Sequence, residues 1–294
     1  MSQPEASAAP RRTRRLLARV HMWIALSLGL YIVVLSISGS IAVFRREANL
    51  WFVPREVPST VGTRLTGDEL QAAVRKVYAD STVVAVRESK RPERPVSVLL
   101  DRDGQRSDRL FDPYALNDIG DSYPPTLRAM EWLVDLHDNL LVGPDGRVWN
   151  GVGGMLVTFL IVTGFIIWWP GTRRVWRSMT VGKPEASRRF AWQLHNALGV
   201  WSFVMLLIWA LTAVYFGFPE WWESGVDYFD ADKTDAERPG EAVLLFLIKL
   251  HFGRFGPVWV RFVWFALGLL PVVLFVTGFV LWWTRVVRKR IATD

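Results

Sequence analysis

The chain has 294 residues, 51% of them apolar, with 16 tryptophans, a formal charge of +7 and no cysteine. Without cysteine there are no disulfides, iron–sulfur clusters, thiolate metal ligands or covalently attached c-type haem. A positive mean hydropathy beside 21% charged residues means that apolar blocks alternate with charged ones.

Residues 1–20 form a basic tail with Arg11, Arg12, Arg14, Arg15 and Arg19. The uncharged run 22–44 predicts transmembrane helix 1 over 21–45, since about 20 residues at roughly 1.5 Å each cross a hydrocarbon core. The run is longer than the apolar part of a signal peptide and is read as a retained helix. Residues 46–146 form a long exported segment. Within it Thr66 and Glu69 are spaced as a capping box opening a helix through Val77 and Tyr78. STVVAVRES, PVSVLL and QRSDRLFDPYALNDIG then read as three short antiparallel strands, with a turn at 101–104. The stretch TLRAMEWLVDLHDNLL follows as an interfacial amphipathic helix.

Uncharged runs at 152–169, 197–218 and 262–283 predict transmembrane helices 2 (147–170), 3 (195–218) and 4 (257–284), the last kinked by Pro271. The loop 171–194 holds Arg173, Arg174, Arg177, Lys183, Arg188 and Arg189. The loop 219–256 is acidic in its first part, and its stretch AVLLFLIKLHFGRF reads as a second interfacial helix. The tail 285–294 is basic again, with Arg285, Arg288, Lys289 and Arg290. This excess assigns both termini and the 171–194 loop to the cytoplasm, with Arg45 and Arg46 as exceptions on the far side. The positive charge is therefore topological and lipid-facing, not a nucleic-acid patch.

The chain also repeats itself. VTGFIIWW (162–169) and VTGFVLWW (276–283) share six of eight letters at an offset of 114 residues. The same shift carries His137 onto His251, and an offset of 174 carries His21 onto His195 and Ser38-Gly39 onto Thr212-Ala213. All four histidines in the chain thus obey one two-fold internal repeat. The small-residue positions Ser38-Gly39, Thr163-Gly164 and Thr277-Gly278 read as helix-packing sites, and the two WW pairs as an aromatic belt.

The order helix, strand, strand, strand ending in FDPYALNDIG resembles a PepSY domain. With LH and VTGFIIWWPG after it, the chain from about 15 to 290 resembles the PepSY-associated transmembrane family, whose members include inner-membrane reductases of ferric siderophores. The resemblance implies a mainly α membrane protein: a four-transmembrane-helix bundle of two repeated helix pairs, with a small α+β PepSY-like domain between helices 1 and 2. It implies two b-type haems with bis-histidine ligation, by His21 with His195 near the cytoplasmic face and by His137 with His251 near the periplasmic face. Imidazole is a good iron ligand, and facing helices of a bundle build such sites. Zinc, which takes three or four protein ligands, suits two histidines per face poorly.

Glycines 29, 39, 153, 154, 199 and 268 are placed to admit the macrocycle. Arg19, Arg188 or Arg189 inside, and Arg147 or Arg254 outside, are candidate propionate partners. The implied activity is electron transfer across the bacterial inner membrane to a periplasmic acceptor, ferric iron in a siderophore, with no catalytic acid, base or nucleophile. No G-x-G-x-x-G follows a predicted strand, so no built-in flavin or NAD domain is expected, and a quinol or a cytoplasmic reductase is the donor. Two other classes stay open: a PepSY-type binding or sensor protein without redox activity, and a metal or proton transporter using the histidines as a relay.

Overall fold

The computed structural model describes residues 9–169, 175–182, 187–230 and 238–287. In chain order the elements are α1 (Ala9–Ser27), α2 (Gly29–Ala42), α3 (Arg45–Phe52), α4 (Gly67–Val77), β1 (Thr82–Arg87), β2 (Val96–Arg102), β3 (Gln105–Asp112), β4 (Asn117–Asp121) and α5 (Pro125–Asn139). There follow α6 (Pro144–Trp168), α7 (Val175–Ser178), α8 (Ser187–Trp201), α9 (Phe203–Gly217), α10 (Pro219–Phe229), α11 (Pro239–His251), α12 (Trp259–Gly268) and α13 (Leu270–Trp282), and a π-turn ends the described chain at Trp283–Val287. Of the basic residues used to orient the chain, Arg173, Arg174, Lys183, Arg288, Lys289 and Arg290 lie outside the described residues, as do the side chains of Arg11 and Arg177.

Two compact units emerge, Phe44–Trp132 and the helical remainder on either side of it. In the helical unit, Pro144–Trp168 and Trp259–Val286 are each long and apolar enough to cross a membrane. Two further helix pairs qualify if each bent pair is one span, which brings the total to four. These bends are 60° between α1 and α2 and 64° between α8 and α9. They fall at Leu28 and Ser202, equivalent positions in the 174-residue repeat. At the second bend Ser202 Oγ donates to the Leu198 carbonyl at 2.6 Å, a back-bond that bends helices. Pro271 sits in the first turn of α13, where its missing N–H costs nothing.

The helices also begin earlier than the apolar runs. α1 takes in most of the basic tail and α8 the end of the 171–194 loop. Arg14 shows why a charged stretch stays helical: its guanidinium donates to the Ile167 carbonyl at the end of α6, where a helix presents unpaired acceptors and its negative dipole end. The packing repeats the sequence symmetry. α1 lies on α6 as α8 lies on α13, and α2 lies on α12 and α13 as α9 lies on α6. Outward-facing Leu30, Ile166, Val204 and Phe262 are exposed apolar side chains, the surface a lipid environment requires.

In the unit Phe44–Trp132 the sheet has four strands in the order β1-β2-β3-β4, every pair antiparallel. This corrects the three strands expected from sequence: FDPYALNDIG holds a hairpin, not the end of one strand. Asp112, 1% exposed, accepts hydrogen bonds from the N–H groups of Tyr114 and Ala115 at 2.8 and 3.1 Å. Leu116 then takes a left-handed φ of 57°. The side chain makes the turn locally, and Asn117–Asp121 returns as β4. α4 covers the sheet through Leu70, Val74 and Tyr78 against Val96, Val98, Leu100 and Phe111. The expected capping box does not form. Thr66 is the N-cap residue but makes no side-chain cap bond, and Gly67, at φ 56°, donates its N–H to Glu88 Oε1 at 3.1 Å. Asp118 on β4 is held by Arg109 on β3 through two bonds of 2.8 Å.

Candidate functional site

Each histidine meets a hydroxyl or a carbonyl on a helix of its own repeat. His21 on α1 meets α6, with Nδ1 3.1 Å from Thr163 Oγ1. His195 on α8 meets α13, with Nδ1 3.0 Å from both Thr277 Oγ1 and the Leu274 carbonyl. His137 on α5 meets α2, with Nδ1 3.0 Å from the Leu35 carbonyl and 3.5 Å from Ser38 Oγ. His251 on α11 meets α9, with Nδ1 2.6 Å from Thr212 Oγ1.

These contacts fix the tautomer. Each hydroxyl gives its own proton to a carbonyl one turn back: Thr163 to Phe159 at 2.8 Å, Thr277 to Val273 at 2.8 Å, Ser38 to Val34 at 2.7 Å, and Thr212 to Ile208 at 2.7 Å. A hydroxyl so committed accepts from the imidazole, and a carbonyl can only accept. All four Nδ1 atoms are therefore donors. Nε2 keeps its lone pair, and none of the four makes a hydrogen bond among the described residues. An imidazole that donates through one nitrogen and offers the other is the arrangement found behind metal-bound histidines. His137 and His251 lie outside the candidate spans. Desolvation by burial pushes both below the usual histidine value, His251 to about 3, so both are neutral and competent as ligands.

The pairs form across the repeats. The rings of His137 and His251 have centroids 6.3 Å apart at 54°. Two metal–nitrogen bonds of roughly 2 Å plus the half-width of each ring give about 6 Å, so the gap suits one metal with an imidazole on each side. His21 and His195 line one cavity, together with the apolar residues Leu160, Phe165, Phe203, Leu274 and Phe275. Among the described residues no three His, Asp or Glu side chains converge as a metal site made of side chains alone.

Backbone contacts pin His137 and His251 as well. Asn150 Nδ2 donates to the carbonyls of His137 and Asp138, both at 2.8 Å. Trp264, at the equivalent position 114 residues on, donates Nε1 to the Leu250 carbonyl at 2.7 Å. Trp209 Nε1 donates to the His251 carbonyl at 3.3 Å. Phe216 meets the His251 ring edge-on at 5.4 Å.

The sequence matches the family described as PepSY-associated TM region over residues 18–242 and again over 230–285. The protein belongs to this family. The match takes in all four histidines, while no curated protein matches the chain.

For this PepSY-associated protein the Ser/Thr-Gly positions are more than packing sites. Thr163 and Thr277 supply histidine contacts, and Gly39 and Gly164 leave room for the rings of His137 and His21. A Cβ at Gly39 would lie 2.4 Å from His137 Cε1, and one at Gly164 would lie 3.2 Å from His21 Cε1. Other glycines expected to admit a macrocycle serve neighbouring side chains instead: Gly29 faces Phe275, Gly153 faces Tyr31 and Gly268 faces Ser40, whereas Gly199 lines the cavity.

Each WW pair splits. Trp169 and Trp283 are exposed, while the Nε1 atoms of Trp168 and Trp282 are buried with no partner among the described residues. Trp168 lines the cavity, and an unpaired buried donor there suits a group that carries acceptors. Arg19, Arg188 and Arg189 are exposed. Arg147 is ion-paired with Asp138, Nε to Oδ2 at 2.8 Å, and Arg254 stacks over Phe252 at 4.7 Å. Sequence reasoning passed over Arg261, which is buried and donates to the Gly256 carbonyl at 3.1 Å. The 114-residue offset pairs it with Arg147 and would have drawn attention to it.

Proposed function

We propose that this protein is a four-span, di-haem electron carrier of the bacterial inner membrane that reduces ferric iron held by a siderophore outside the cytoplasm. The observation that carries the proposal is the set of four histidines locked with Nδ1 as donor and Nε2 bare, drawn together in two pairs. Family membership supports the same reading. Each bent helix pair counts as one span, so α1–α2, α6, α8–α9 and α12–α13 form a bundle of two repeated helix pairs. The positive-inside rule puts both termini and the 171–194 loop in the cytoplasm.

Haem, when bound, would supply a one-electron redox centre. The chain's residues do the rest. His21 and His195 would hold one haem on the cytoplasmic side, and His137 and His251 would hold the second on the periplasmic side. Thr163, Thr277 and Thr212, with the Leu35 and Leu274 carbonyls, hold the four rings. Trp168 offers its indole N–H to an acceptor in the inner cavity, and the apolar lining there excludes water. The electron comes from a quinol or a cytoplasmic reductase. Each electron delivered outside turns one Fe³⁺ into Fe²⁺, which hard oxygen donors hold less tightly, so the siderophore releases it. No general acid, base or nucleophile takes part.

The purified full-length protein should show a Soret band and a dithionite-sensitive α-band, with two haems per chain. His21→Ala or His195→Ala should remove one haem and spare the other. A colourless protein overturns the haem reading, and loss of both haems from either substitution overturns the pairing. Dithionite-reduced, desalted protein mixed anaerobically with ferric siderophores should be reoxidised. If none of them reoxidises it, the siderophore assignment falls and electron transfer stands.

A further inference from the structure

The four histidine seats look equivalent in sequence but differ in redundancy. On the cytoplasmic side His195 Nδ1 meets both Thr277 Oγ1 and the Leu274 carbonyl at 3.0 Å, while His21 Nδ1 meets Thr163 Oγ1 at 3.1 Å. On the other side the two seats diverge. His137 rests on the Leu35 carbonyl at 3.0 Å, with Ser38 Oγ at the 3.5 Å limit. Among the described residues His251 Nδ1 bonds Thr212 Oγ1 alone, at 2.6 Å. The carbonyl equivalent to that of Leu35 belongs to Trp209, and it lies 3.1 Å from the Thr212 hydroxyl rather than bonding the ring.

We infer that Thr212 is the positioning residue on which the outer site depends for binding its cofactor, and that Ser38, its counterpart in the repeat, is dispensable. The inference rests on the haem reading above. Removing the Thr212 hydroxyl leaves the His251 Nδ1–H without an acceptor. Either ring nitrogen is then free to carry the proton, and an imidazole protonated at Nε2 cannot bind iron through Nε2. Removing the Ser38 hydroxyl leaves the Leu35 carbonyl in place and the tautomer of His137 unchanged. The helix bearing His251 keeps its backbone bonds from Trp209 and Trp264, so the loss is confined to the ring.

The test compares haem-loaded, full-length Thr212→Val, Thr212→Ala, Thr212→Ser and Ser38→Ala with the unsubstituted chain. It measures haem per chain, the low-spin absorption and electron-spin signature, and the midpoint potential of each centre. Loss of a hydrogen bond behind a metal ligand lowers affinity by about 10–100-fold. Thr212→Val and Thr212→Ala are expected to retain one haem, that of the His21–His195 pair with its signature unaltered. Thr212→Ser restores the second, and Ser38→Ala keeps both. Two haems with unshifted potentials in both Thr212→Val and Thr212→Ala overturn the inference, and so does equal loss in Ser38→Ala. An unsubstituted chain without haem overturns the underlying reading instead, and the two failures are told apart on the same samples.

Discussion

Replacing Gly39 by alanine probes the closest approach of a glycine to a histidine ring among the described residues. A Cβ there would lie 2.4 Å from Cε1 of His137, 2.7 Å from Nδ1 and 3.1 Å from Nε2, whereas ordinary contact begins at 3.4 Å. The ring must retreat by about 1 Å, which stretches its 3.0 Å bond to the Leu35 carbonyl to about 4 Å, beyond hydrogen-bond range. Overpacking costs about 1–3 kcal/mol and the lost bond about 1 kcal/mol, against a helix-propensity gain of about 1 kcal/mol. The net is a destabilisation of about 1–3 kcal/mol, and under the haem proposal the His137–His251 pair would bind its haem about 10–100-fold more weakly. Gly278→Ala is the internal control, because its Cβ would meet His195 Cε1 at 3.4 Å. It should keep both haems and melt no lower than the unsubstituted protein. Haem per chain and thermal unfolding in detergent give the comparison. Full haem content in Gly39→Ala, or an equal loss in Gly278→Ala, would refute the claim that these glycines are graded by their distance from the rings.

Two predictions concern the unit with the sheet. Phe111 is fully buried between α4 and the sheet, so Phe111→Ala should cost about 3–5 kcal/mol. Hydrogen exchange of the β2 and β3 amides should speed up by more than about 100-fold, and unchanged protection would contradict the core described above. Burial pushes the Tyr78 phenol up, and the Asp118 carboxylate pushes it further. A folded value above the unfolded one means that stability is complete below about pH 10 and falls as pH rises, because only the unfolded phenol ionises freely. Tyr78→Phe should remove this alkaline loss, so exchange of the sheet amides between pH 9 and 11 should separate the two proteins. Parallel declines would show that Tyr78 is not the group responsible.

The family, the apolar spans and the four histidines were readable from the letters, because each is a pattern along the chain. An uncharged run of about 20 residues satisfies its backbone in lipid only as a helix, and a fixed offset superimposes the histidines whatever the fold. The fourth strand was missed because Asp112 closes its turn through its own side chain, inside a segment whose composition reads as one strand. The capping box was expected because spacing alone cannot show that Gly67 turns its N–H to Glu88. The partners of the histidines were invisible for a different reason. Thr163 lies 142 residues from His21, and Thr277 lies 82 from His195, and no local rule links positions so far apart.

The sequence by itself determined that this is a membrane protein of the PepSY-associated family, carrying two copies of one helical unit with the histidines at equivalent places. Only the tertiary structure decided which nitrogen each histidine offers. That depends on a hydroxyl or carbonyl delivered by a neighbouring helix to within hydrogen-bond distance of Nδ1, and such a meeting is set by packing rather than by periodicity.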